Sequence, residues 1–473
     1  MKAEIISSSV IRLSGAPPTA GHVRTLEPYS RGRMQWDVRP DQRAEIGTLV
    51  PVALLDLMER EPVDHRDMPV QVPLALWSTL YQYQQDGVRQ IVHRFKGRCL
   101  LADEMGLGKT LQAIAVLLHY DCDVLIICPS FLQTTWRRTL QEHTNRATVC
   151  SYGKLPVPSV DYGMVVVDEA HYLKSLDSQR TQAILPLLLL AQRVLLLSGT
   201  PCPNRPEELY PLLHAIRPNL VPSFSAFASR YCNPRRTAFC ACDTRGSDRA
   251  DELKWLLGRA YWVRRTKAAV LTELPSKRTG TLHVDADPAM RSTLDELHSR
   301  MQQALSRGSK LAQTLISEMY RVTAHAKMAA AVELVAARVS HGEPVVIFAH
   351  HQCMLDAMQA SLPQDGSVGR IDGQTPLSKR QEVVDGLQCG ALRVAVLSMG
   401  AAGVGLTLTR ACTAYFLEIP WCPAVLRQCE DRIHRIGQTL PCNIYYVLAH
   451  DTLDMHVWRT IHRKERVGAR IGQ

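Results

Sequence analysis

The chain has 473 residues, which is enough for two to three domains of ordinary size. Hydrophobic residues make up 46% of it and charged residues 21%, proportions that are typical of a globular protein. Lysine and arginine number 55 against 45 acidic residues, and the formal charge of +10 weakly favours a polyanionic partner. The longest apolar run, residues 184–198, is interrupted by Pro186, Gln192 and Arg193, which argues against a membrane span.

The 14 cysteines are scattered, and Cys240 and Cys242 form the only close pair. Because no paired C-x-x-C units occur, the sequence argues against a zinc site. Free thiols in a reducing compartment are the expectation. The first residues show no apolar signal-peptide core, while a transit peptide stays an open alternative.

Residues 1–75 show little periodicity. We predict a strand within residues 4–13 and a short helix at 50–60, and prolines at 62, 69 and 73 indicate a linker. The segment is interpreted as a small accessory region, with a flexible leader as the alternative.

From Leu76 onward the pattern becomes that of an α/β domain. Gln84 precedes a glycine-rich loop by about one helix, and its amide can pair with both a donor and an acceptor on adenine. The loop lies in residues 100–110, which end in Gly-x-Gly-Lys-Thr, the core of a phosphate-binding loop. Lys109 can reach the β- and γ-phosphates, and the Thr110 hydroxyl can ligate Mg²⁺.

The residues after the loop, 111–120, are predicted to form a helix whose N-terminus faces the bound anion. The glycines Gly106 and Gly108 allow the tight backbone that such a loop needs. Asp103 stands where the general pattern has glycine. The alternative interpretation is a plain glycine turn before a helix.

Three short apolar runs follow, and we predict strands at 124–128, 164–167 and 193–197. Each is followed by polar or small residues, namely Pro129-Ser130, Asp168-Glu169 and Ser198-Gly199-Thr200. Strands that alternate with helices in this way predict a doubly wound α/β lobe, with ligands at the carboxyl ends of the strands.

Asp168 and Glu169 follow the second of these strands directly. We expect Asp168 to hold Mg²⁺, directly or through water, and Glu169 to orient or deprotonate the attacking water. An acidic turn after a strand is the alternative. His171 and Thr200 are hypothesised to sense the nucleotide and pass its state to another lobe.

Residues 205–340 are predicted to be largely helical, with basic clusters at 235–236 and 264–267 that either meet phosphates or form a solvated face. A second α/β pattern begins at Glu343. Its predicted strands are 345–349, 370–371, 393–397 and 413–418, and its predicted helices are 351–362 and 376–387. A glycine-rich turn at 398–407 would let a nucleotide or DNA approach the backbone closely.

Arg432 and Arg435 are three residues apart, so that on a helix they would share a face. Guanidinium groups suit γ-phosphate oxygens, and an arginine finger contributes about 10³–10⁵-fold in rate. A basic helix face is the alternative. Because the second α/β pattern has no phosphate loop of its own, we expect it to supply these arginines to the ATP of the first.

The ordered motifs DEMGLGKT, VVVDEAHYLKS, LLLSGTP, VIFAHH, RIDGQT, GAAGVGLTLT and QCEDRIHRIGQ resemble those of the Swi/Snf-related DNA-dependent ATPases of helicase superfamily two. VIFAHHQCMLDAM and ELKWLLGRAYWVRRTKAAVLTELPSKR resemble the HepA-related protein (HARP) annealing-helicase branch within them. The likeness covers about residues 76–465. It implies two RecA-like lobes and ATP hydrolysis that drives movement along double-stranded DNA without classical unwinding. For the HARP branch it implies rewinding of separated strands and regression of stalled forks.

The resemblance also implies roles for individual residues, and Asp103 matches this family's own variant of the loop. Trp421-Cys422-Pro423 departs from the Trp-Asn of many relatives, and residues 34–37 faintly resemble the end of a HARP domain. The implied catalytic residues are Lys109, Asp168, Glu169, Arg432 and Arg435. The implied nucleotide-binding residues are Gln84, Asp103, Glu104, Met105, Gly106, Leu107, Gly108, Lys109, Thr110, Gly405, Arg432 and Arg435. The implied metal ligands are Thr110 and Asp168, and the DNA-contact candidates are Ser130, Thr200, Arg370 and Ser398.

We therefore predict an α/β protein with two RecA-like doubly wound parallel-sheet lobes, helical insertions and a small N-terminal accessory segment. The predicted domains are an accessory segment at 1–75, an ATP-binding lobe at 76–265, a helical linker at 266–340 and a second lobe at 341–473. The predicted cofactors are ATP and Mg²⁺. The predicted partners are branched or forked DNA, double-stranded/single-stranded junctions and a single-strand-binding protein, with no membrane. The predicted location is the nucleus, with an organelle such as the mitochondrion as the alternative.

Three functions stay open at this stage. The first is an ATP-driven motor that anneals strands and remodels forks. The second is a nucleosome remodeller of the same superfamily, and the third is a non-enzymatic, ATP-gated DNA clamp or scaffold.

Overall fold

The computed structural model describes residues 2–7, 10–14, 24–25, 36–37, 50–61, 63–155, 162–202, 204–236, 242–306, 311–339, 343–402 and 406–471. The chain divides into two compact units. The first unit comprises Met1–Glu104, Gly108–Thr266 and Arg466–Gln473, and the second comprises Met105–Leu107 and Lys267–Glu465. Among the described helices, none combines the length and apolar character that crossing a membrane requires.

The first unit is built on a parallel six-stranded sheet in the order β10-β5-β9-β8-β6-β7. Its strands and those that precede them are β1 Lys2–Ser7, β2 Val10–Ser14, β3 Arg24–Thr25, β4 Trp36–Asp37, β5 Arg98–Leu101, β6 Val124–Cys128, β7 Ala147–Ser151, β8 Met164–Asp168, β9 Arg193–Leu197 and β10 Trp262–Val263. The side chains of β6 alternate between two hydrophobic cores, with Leu125 and Ile127 in one and Val124 and Ile126 in the other. The central strands are therefore buried on both faces, which explains their unbroken apolar sequences.

Helices cover both faces of this sheet. They are α1 Val52–Glu59, α2 Leu74–Trp77, α3 Gln82–Arg89, α4 Lys109–Tyr120, α5 Gln133–Gln141, α6 Gln179–Leu190, α7 Tyr210–Ile216, α8 Phe224–Tyr231 and α9 Ala250–Leu256. Two single π-helical turns, Gln90–Arg94 and Leu257–Tyr261, extend α3 and α9. Ser178 caps α6 by accepting a hydrogen bond from the Thr181 N–H at 3.3 Å, which satisfies one of the free donors of the first turn.

The predicted strand at 4–13 is in fact an antiparallel pair of strands, β1 and β2. Ile5 is fully buried in the core of the first unit, and its main-chain N–H donates to the Glu252 carboxylate at 2.8 Å. Glu4 in turn accepts from the Asp251 N–H at the start of α9, at 3.1 Å. This part of the predicted accessory segment thus packs on the first unit. β3 and β4 form a second short pair, and the motif residues Met34 and Gln35 lie outside the described residues.

The second unit contains another parallel six-stranded sheet, in the order β11-β16-β15-β12-β14-β13. Its strands are β11 Lys277–Val284, β12 Val345–Ala349, β13 Val368–Ile371, β14 Val394–Ser398, β15 Thr413–Phe416 and β16 Cys442–Ala449. Its helices are α10 Lys267–Val270, α11 Arg291–Ser306, α12 Leu311–Val339, α13 Gln352–Ala360, α14 Leu377–Cys389, α15 Met399–Ala402, α16 Pro423–Glu430 and α17 Leu453–Ile471, the last of which belongs to this unit as far as Glu465. The predicted α/β class with two doubly wound parallel lobes is confirmed.

Strand β11 was not predicted, since it falls within the span expected to be helical. It is an edge strand with mostly exposed side chains, and its partner β16 lies far along the chain. A buried ion pair secures the long helix α12 nearby: Lys327 Nζ lies 2.6 Å from Asp454 Oδ2 and donates to the Val447 carbonyl at 3.0 Å. Removal of either partner of such a buried pair costs about 3–5 kcal/mol.

Candidate active site

The glycine-rich loop joins β5 to α4 at the carboxyl edge of the first sheet. Gly106 (φ 84°) and Gly108 (φ 73°) both have left-handed backbone conformations, which side chains other than glycine disfavour. Lys109, the first residue of α4, folds back so that its Nζ donates to the Asp103 carbonyl at 2.8 Å and to the Glu104 carbonyl at 3.4 Å. The loop and its lysine therefore have the local form that binding phosphate requires.

The Asp103 side chain is engaged in contacts within the first unit, and its predicted contact with nucleotide stays a prediction. Its carboxylate is fully buried and accepts from Arg265 Nε at 3.0 Å and Nη2 at 2.6 Å. The Arg265 main-chain N–H, at 3.0 Å, and Gln112 Nε2, at 2.9 Å, complete its bonding. The residue at the usual glycine position thus fastens the loop to α4 and to the segment after β10.

Arg265 belongs to the basic cluster at 264–267, which the sequence predicted either to meet phosphates or to form a solvated face. In the structure its side chain is largely buried within the first unit. Its guanidinium also donates to Gln112 Oε1 at 2.7 Å and lies 5.3 Å from the centre of the Tyr83 ring. A Cβ atom on Gly87 would come within 2.4 Å of both Arg265 Nη2 and Gln112 Oε1. Glycine at 87 therefore makes room for this network. Burial and the Asp103 charge raise the pKa of Tyr83 to about 12.

The predicted adenine-contacting residue, Gln84, is buried beside the loop. Its Oε1 accepts from the Tyr81 N–H at 2.9 Å, and a Cβ on Gly108 would lie only 2.3 Å from its Nε2. Gln84 therefore belongs to the same local structure as the phosphate loop, as its predicted role requires.

Asp168, the last residue of β8, accepts from Trp136 Nε1 and from the Glu169 N–H, both at 2.9 Å. Burial and the Glu169 charge raise the pKa of Asp168 to about 6, although the Trp136 hydrogen bond and the Lys109 charge oppose the shift. A buried carboxylate with a raised pKa is a group that a cation would stabilise. The Asp168 carboxylate and the Thr110 hydroxyl also offer the oxygen ligands that Mg²⁺ prefers, so these residues fit the predicted metal.

Glu169 begins a chain of polar contacts that leads to the segment after β9. Its own backbone is left-handed, with φ of 54°. His171 Nδ1 lies 3.2 Å from Glu169 Oε2 and 3.3 Å from Ser198 Oγ, and the Thr200 N–H donates to Ser198 Oγ at 3.2 Å. The Thr200 hydroxyl is buried and has no hydrogen-bond partner within the described ranges. The structure thus brings together Glu169 and the two residues for which a sensing role was hypothesised.

The other DNA-contact candidates differ in how available their side chains are. Ser130 is exposed at the start of a short 3₁₀ helix, Ser130–Leu132. Ser398 accepts from the Ala401 N–H at 3.1 Å and so caps α15. Arg370 is paired with two carboxylates, Asp356 at 2.8 Å and Asp372 at 3.1 Å. A phosphate contact by Arg370 would have to compete with both.

The two candidate finger arginines lie in a turn, not on a helix. Helix α16 ends at Glu430, so the expected shared helix face is not formed. Lys267 holds the turn, with its Nζ 2.5 Å from Asp431 Oδ1 and 2.6 Å from the His434 carbonyl. Burial and the Arg432 charge lower the pKa of Arg435. Gly405 lies outside the described residues.

Two family models match the chain. The SNF2-related domain matches residues 83–156 and 153–331, and the helicase conserved C-terminal domain matches residues 326–437. The chain belongs to the SNF2-related family. Every candidate site residue falls within the two matched regions of the SNF2-related chain.

Several curated proteins are similar to this SNF2-related chain. The "SWI/SNF-related matrix-associated actin-dependent regulator of chromatin subfamily A-like protein 1" of Xenopus tropicalis is 34% identical over 93% of the chain and 50% of its own length. The homologue of that protein in Caenorhabditis elegans is 31% identical over 92% of the chain and 70% of its own length. The human "DNA annealing helicase and endonuclease ZRANB3" is 34% identical over 84% of the chain and 40% of its own length.

The chain therefore spans about half the length of the first curated relatives that it matches. Among solved structures, the "SWI2/SNF2 ATPase core in complex with dsDNA" of Sulfolobus solfataricus aligns with a TM-score of 0.40 and 20% identity, over 87% of this chain and 96% of that one. The family resemblance predicted from the sequence motifs is confirmed by the family models.

Proposed function

We propose that the chain is an ATP-dependent DNA translocase that rewinds separated strands and remodels branched DNA, such as stalled replication forks. The observation that supports this most directly is the first sheet, which brings the phosphate loop, Lys109 and the buried carboxylate of Asp168 to one edge. Relatives that are named DNA annealing helicases support the choice of reaction. The net charge of +10 suits DNA as the track.

In the proposed reaction, Lys109 and the N–H groups of the loop hold the phosphates of ATP. Thr110 and Asp168 would hold Mg²⁺, which supplies neutralisation of the phosphate charge. Glu169 orients a water molecule and accepts its proton as the water oxygen bonds to the γ-phosphorus. The bond from the γ-phosphorus to the bridging oxygen breaks, and ADP and inorganic phosphate leave.

Arg432 and Arg435 are proposed to contact the γ-phosphate during this step. The lowered pKa of Arg435 reflects burial and the neighbouring Arg432 charge, and an anion beside the pair would relieve that repulsion. We expect this contribution to be worth about 10³–10⁵-fold in turnover, as for other arginine fingers.

The contacts from Glu169 through His171 and Ser198 to Thr200 are proposed to report the state of the nucleotide to the DNA-binding residues. Ser130, Thr200, Arg370 and Ser398 are proposed to contact the DNA backbone. A single-strand-binding protein is a proposed partner, and the nucleus is the proposed location, because relatives are named as regulators of chromatin.

The test is an ATPase and strand-rewinding assay with forked, duplex, single-stranded and nucleosomal DNA. We expect forked DNA to stimulate turnover most, rewinding to depend on ATP, and Lys109→Ala and Arg435→Ala to abolish both. Equal stimulation by forked and plain duplex DNA, without rewinding, would overturn the fork-remodelling function. Full turnover by Lys109→Ala would show that the site is assigned to the wrong residues.

A second candidate function is nucleosome remodelling, which the names of the chromatin-regulator relatives favour. Stronger stimulation by nucleosomal than by forked DNA would establish it in place of the first. ATP-dependent DNA binding without any turnover would instead indicate the clamp or scaffold.

A further inference from the structure

A basic cavity lies at the amino-terminal edge of the first sheet, opposite the edge that carries the phosphate loop. Its volume is about 500 Å³, and its walls come from α1, from the turn at residues 95–98 before β5, and from residues 216–220 after α7. Among the described residues that line it, four are cationic, Arg60, Lys96, Arg98 and Arg217, and one, Asp56, has a carboxylate. No sequence motif pointed to this edge.

Arg98 forms a fixed wall of the cavity. Its guanidinium donates to the Ala215 carbonyl at 2.6 Å, the Ile216 carbonyl at 3.1 Å and the Leu188 carbonyl at 3.2 Å, and also to the Ala191 carbonyl. These carbonyls lie at the C-terminal ends of α6 and α7, where a positive charge is favourable. The hydrogen-bonding groups of Arg98 are thus engaged by main-chain carbonyls of the first unit.

Arg217 is different, because its partly buried guanidinium has no hydrogen bond or ion pair to any described residue. Burial, together with the nearby Arg60 charge, lowers the pKa of Arg217, although Tyr261 opposes the shift. Holding a cation in this way is unfavourable unless an anion accompanies it. The cavity therefore has the electrostatics of an anion site.

Lys96 adds a strained backbone to the same cavity. It is a non-glycine residue with φ of 52°, a conformation that costs about 1–2 kcal/mol for a residue with a Cβ. The side chain is exposed at the cavity wall. Strained residues of this kind cluster at binding sites.

The basic character continues into a neighbouring cavity of about 590 Å³, lined by Arg94, Lys254 and Arg259 beside Ile6, Trp255 and Asp251. Arg259 Nε donates to the carbonyl of Leu57, a residue of the first cavity, at 3.4 Å, so the two cavities adjoin. Burial and the charges of Arg259 and Arg217 lower the pKa of Arg94. The two π-helical turns, Gln90–Arg94 and Leu257–Tyr261, lie along this boundary, and such turns are frequent at functional sites.

We propose that this basal strip, formed by Arg60, Lys96, Arg217, Arg94, Lys254 and Arg259, binds the phosphate groups of a nucleic-acid strand. The first-unit candidates Ser130 and Thr200 lie at the opposite edge of the sheet, so the strip would contact a different DNA segment. A branched substrate offers such a second segment. The proposal extends the proposed function, but binding to the strip does not require ATP hydrolysis.

The test compares two triple variants that lose the same charge. The first is Arg60→Gln, Lys96→Gln and Arg217→Gln in the strip. The control is Arg66→Gln, Arg138→Gln and Arg245→Gln, at exposed positions outside the strip, of which Arg66 and Arg245 already pair with Asp64 and Asp243. Affinity for forked and plain duplex DNA is measured by fluorescence anisotropy without nucleotide, over a series of salt concentrations.

We expect the strip variant to bind forked DNA about tenfold more weakly than the control variant, with a salt dependence smaller by about three phosphate contacts. Its affinity for a short plain duplex should match that of the control. Identical fork affinities and salt slopes for the two variants would overturn the proposal. Because ATP is absent, loss of turnover would challenge the proposed function and leave this result intact.

A second measurement separates a nucleic-acid strand from a free polyanion. Thermal unfolding is followed with inorganic tripolyphosphate and with a single-stranded oligonucleotide. The phosphate loop and the other proposed DNA contacts are retained in every variant, so the strip variant is compared with the wild-type chain and with the control variant. A smaller stabilisation of the strip variant by both ligands supports the proposal. A stabilisation that is smaller with tripolyphosphate but unchanged with the oligonucleotide would identify a free-polyanion site and overturn the assignment to nucleic acid. The unfolding temperature of each variant without ligand shows that it is folded.

Discussion

Two buried carboxylates lie near the carboxyl ends of central strands, Asp168 as the last residue of β8 and Glu418 just after β15, and their pKa values shift in opposite directions. Burial and the adjacent Glu169 charge raise the pKa of Asp168 to about 6. Burial would also raise the pKa of Glu418, but hydrogen bonds from His351 and from the His350 and His351 main-chain N–H groups lower it below its ordinary value. A cation would stabilise the charged form of Asp168, whereas hydrogen bonds from the turn between β12 and α13 already stabilise the charged form of Glu418.

The largest expected effect comes from neutralising each carboxylate in turn. Asp168→Asn should reduce ATP turnover by at least about 10³-fold, since it removes the proposed metal ligand. It should cause no loss of thermal stability, because it also removes an unfavourable buried charge. Glu418→Gln should leave turnover within about threefold and destabilise the second unit by about 1–3 kcal/mol, because its hydrogen-bonded charge is lost. Steady-state ATPase assays and denaturant unfolding measure the two quantities. If Glu418→Gln abolished turnover as Asp168→Asn does, the contrast between the two carboxylates would fail.

Asp103 extends the comparison, because it is a buried carboxylate of the first unit whose charge is balanced by the Arg265 guanidinium. Asp103→Asn and Arg265→Gln should each weaken nucleotide binding about tenfold. The double variant should bind nucleotide no more weakly than the single variant with the lower affinity, which corresponds to a coupling energy of about 0.5–3 kcal/mol. Arg265→Lys should not restore binding, because an ammonium cannot form the two-pronged contact. Equilibrium titration with a fluorescent nucleotide measures these effects.

The control for this cycle is the neighbouring Arg264, which donates to the Ala102 carbonyl. Arg264→Gln should show no coupling to Asp103→Asn. Additive effects of Asp103→Asn and Arg265→Gln would mean that the pair does not hold the loop as a unit.

The raised pKa of Asp168 predicts a pH dependence. A raised pKa means that the folded protein keeps the proton up to a higher pH, so the carboxylate that is proposed to hold Mg²⁺ is lost as the pH falls through about 6. The kcat/KM for ATP should therefore decline below about pH 6. Trp136→Phe removes a hydrogen bond that favours the charged form, so this acid limb should move to higher pH. A limb that stayed in place in Trp136→Phe would show that another group titrates there.

The smallest expected effect concerns the backbone of Glu169. Its left-handed φ of 54° is unfavourable for a residue with a Cβ, so Glu169→Gly should be more stable than Glu169→Gln by up to about 1 kcal/mol, although the flexibility of glycine in the unfolded chain offsets part of the gain. Both variants should lose turnover, because neither can accept a proton. Thermal unfolding of the two variants tests this, and a less stable Glu169→Gly would show that the surrounding structure imposes no strain.

Local sequence patterns predicted the central strands well. β6, β9 and β12 have the predicted bounds, because runs buried on both faces must be continuously apolar. The edge strand β11 was missed, since its exposed side chains show no such run. The predicted strand 413–418 ends at Phe416, and the hydrogen bonds that Glu418 makes to residues of the β12–α13 turn lie beyond the reach of any local pattern.

By itself, the sequence determined the α/β class, the phosphate loop, the carboxylates that follow a parallel strand and the family to which the chain belongs. These features depend on neighbouring residues and on the common edge where parallel strands end. Only the tertiary structure decided that Asp103 pairs with Arg265, that Asp168 and Glu418 differ in pKa, and that Arg432 and Arg435 lie in a turn. It also decided that the Arg217 guanidinium has no hydrogen bond or ion pair to a described residue. The partners that balance a charge come from groups far apart in the chain, and burial increases the energetic effect of each partner that is present or missing.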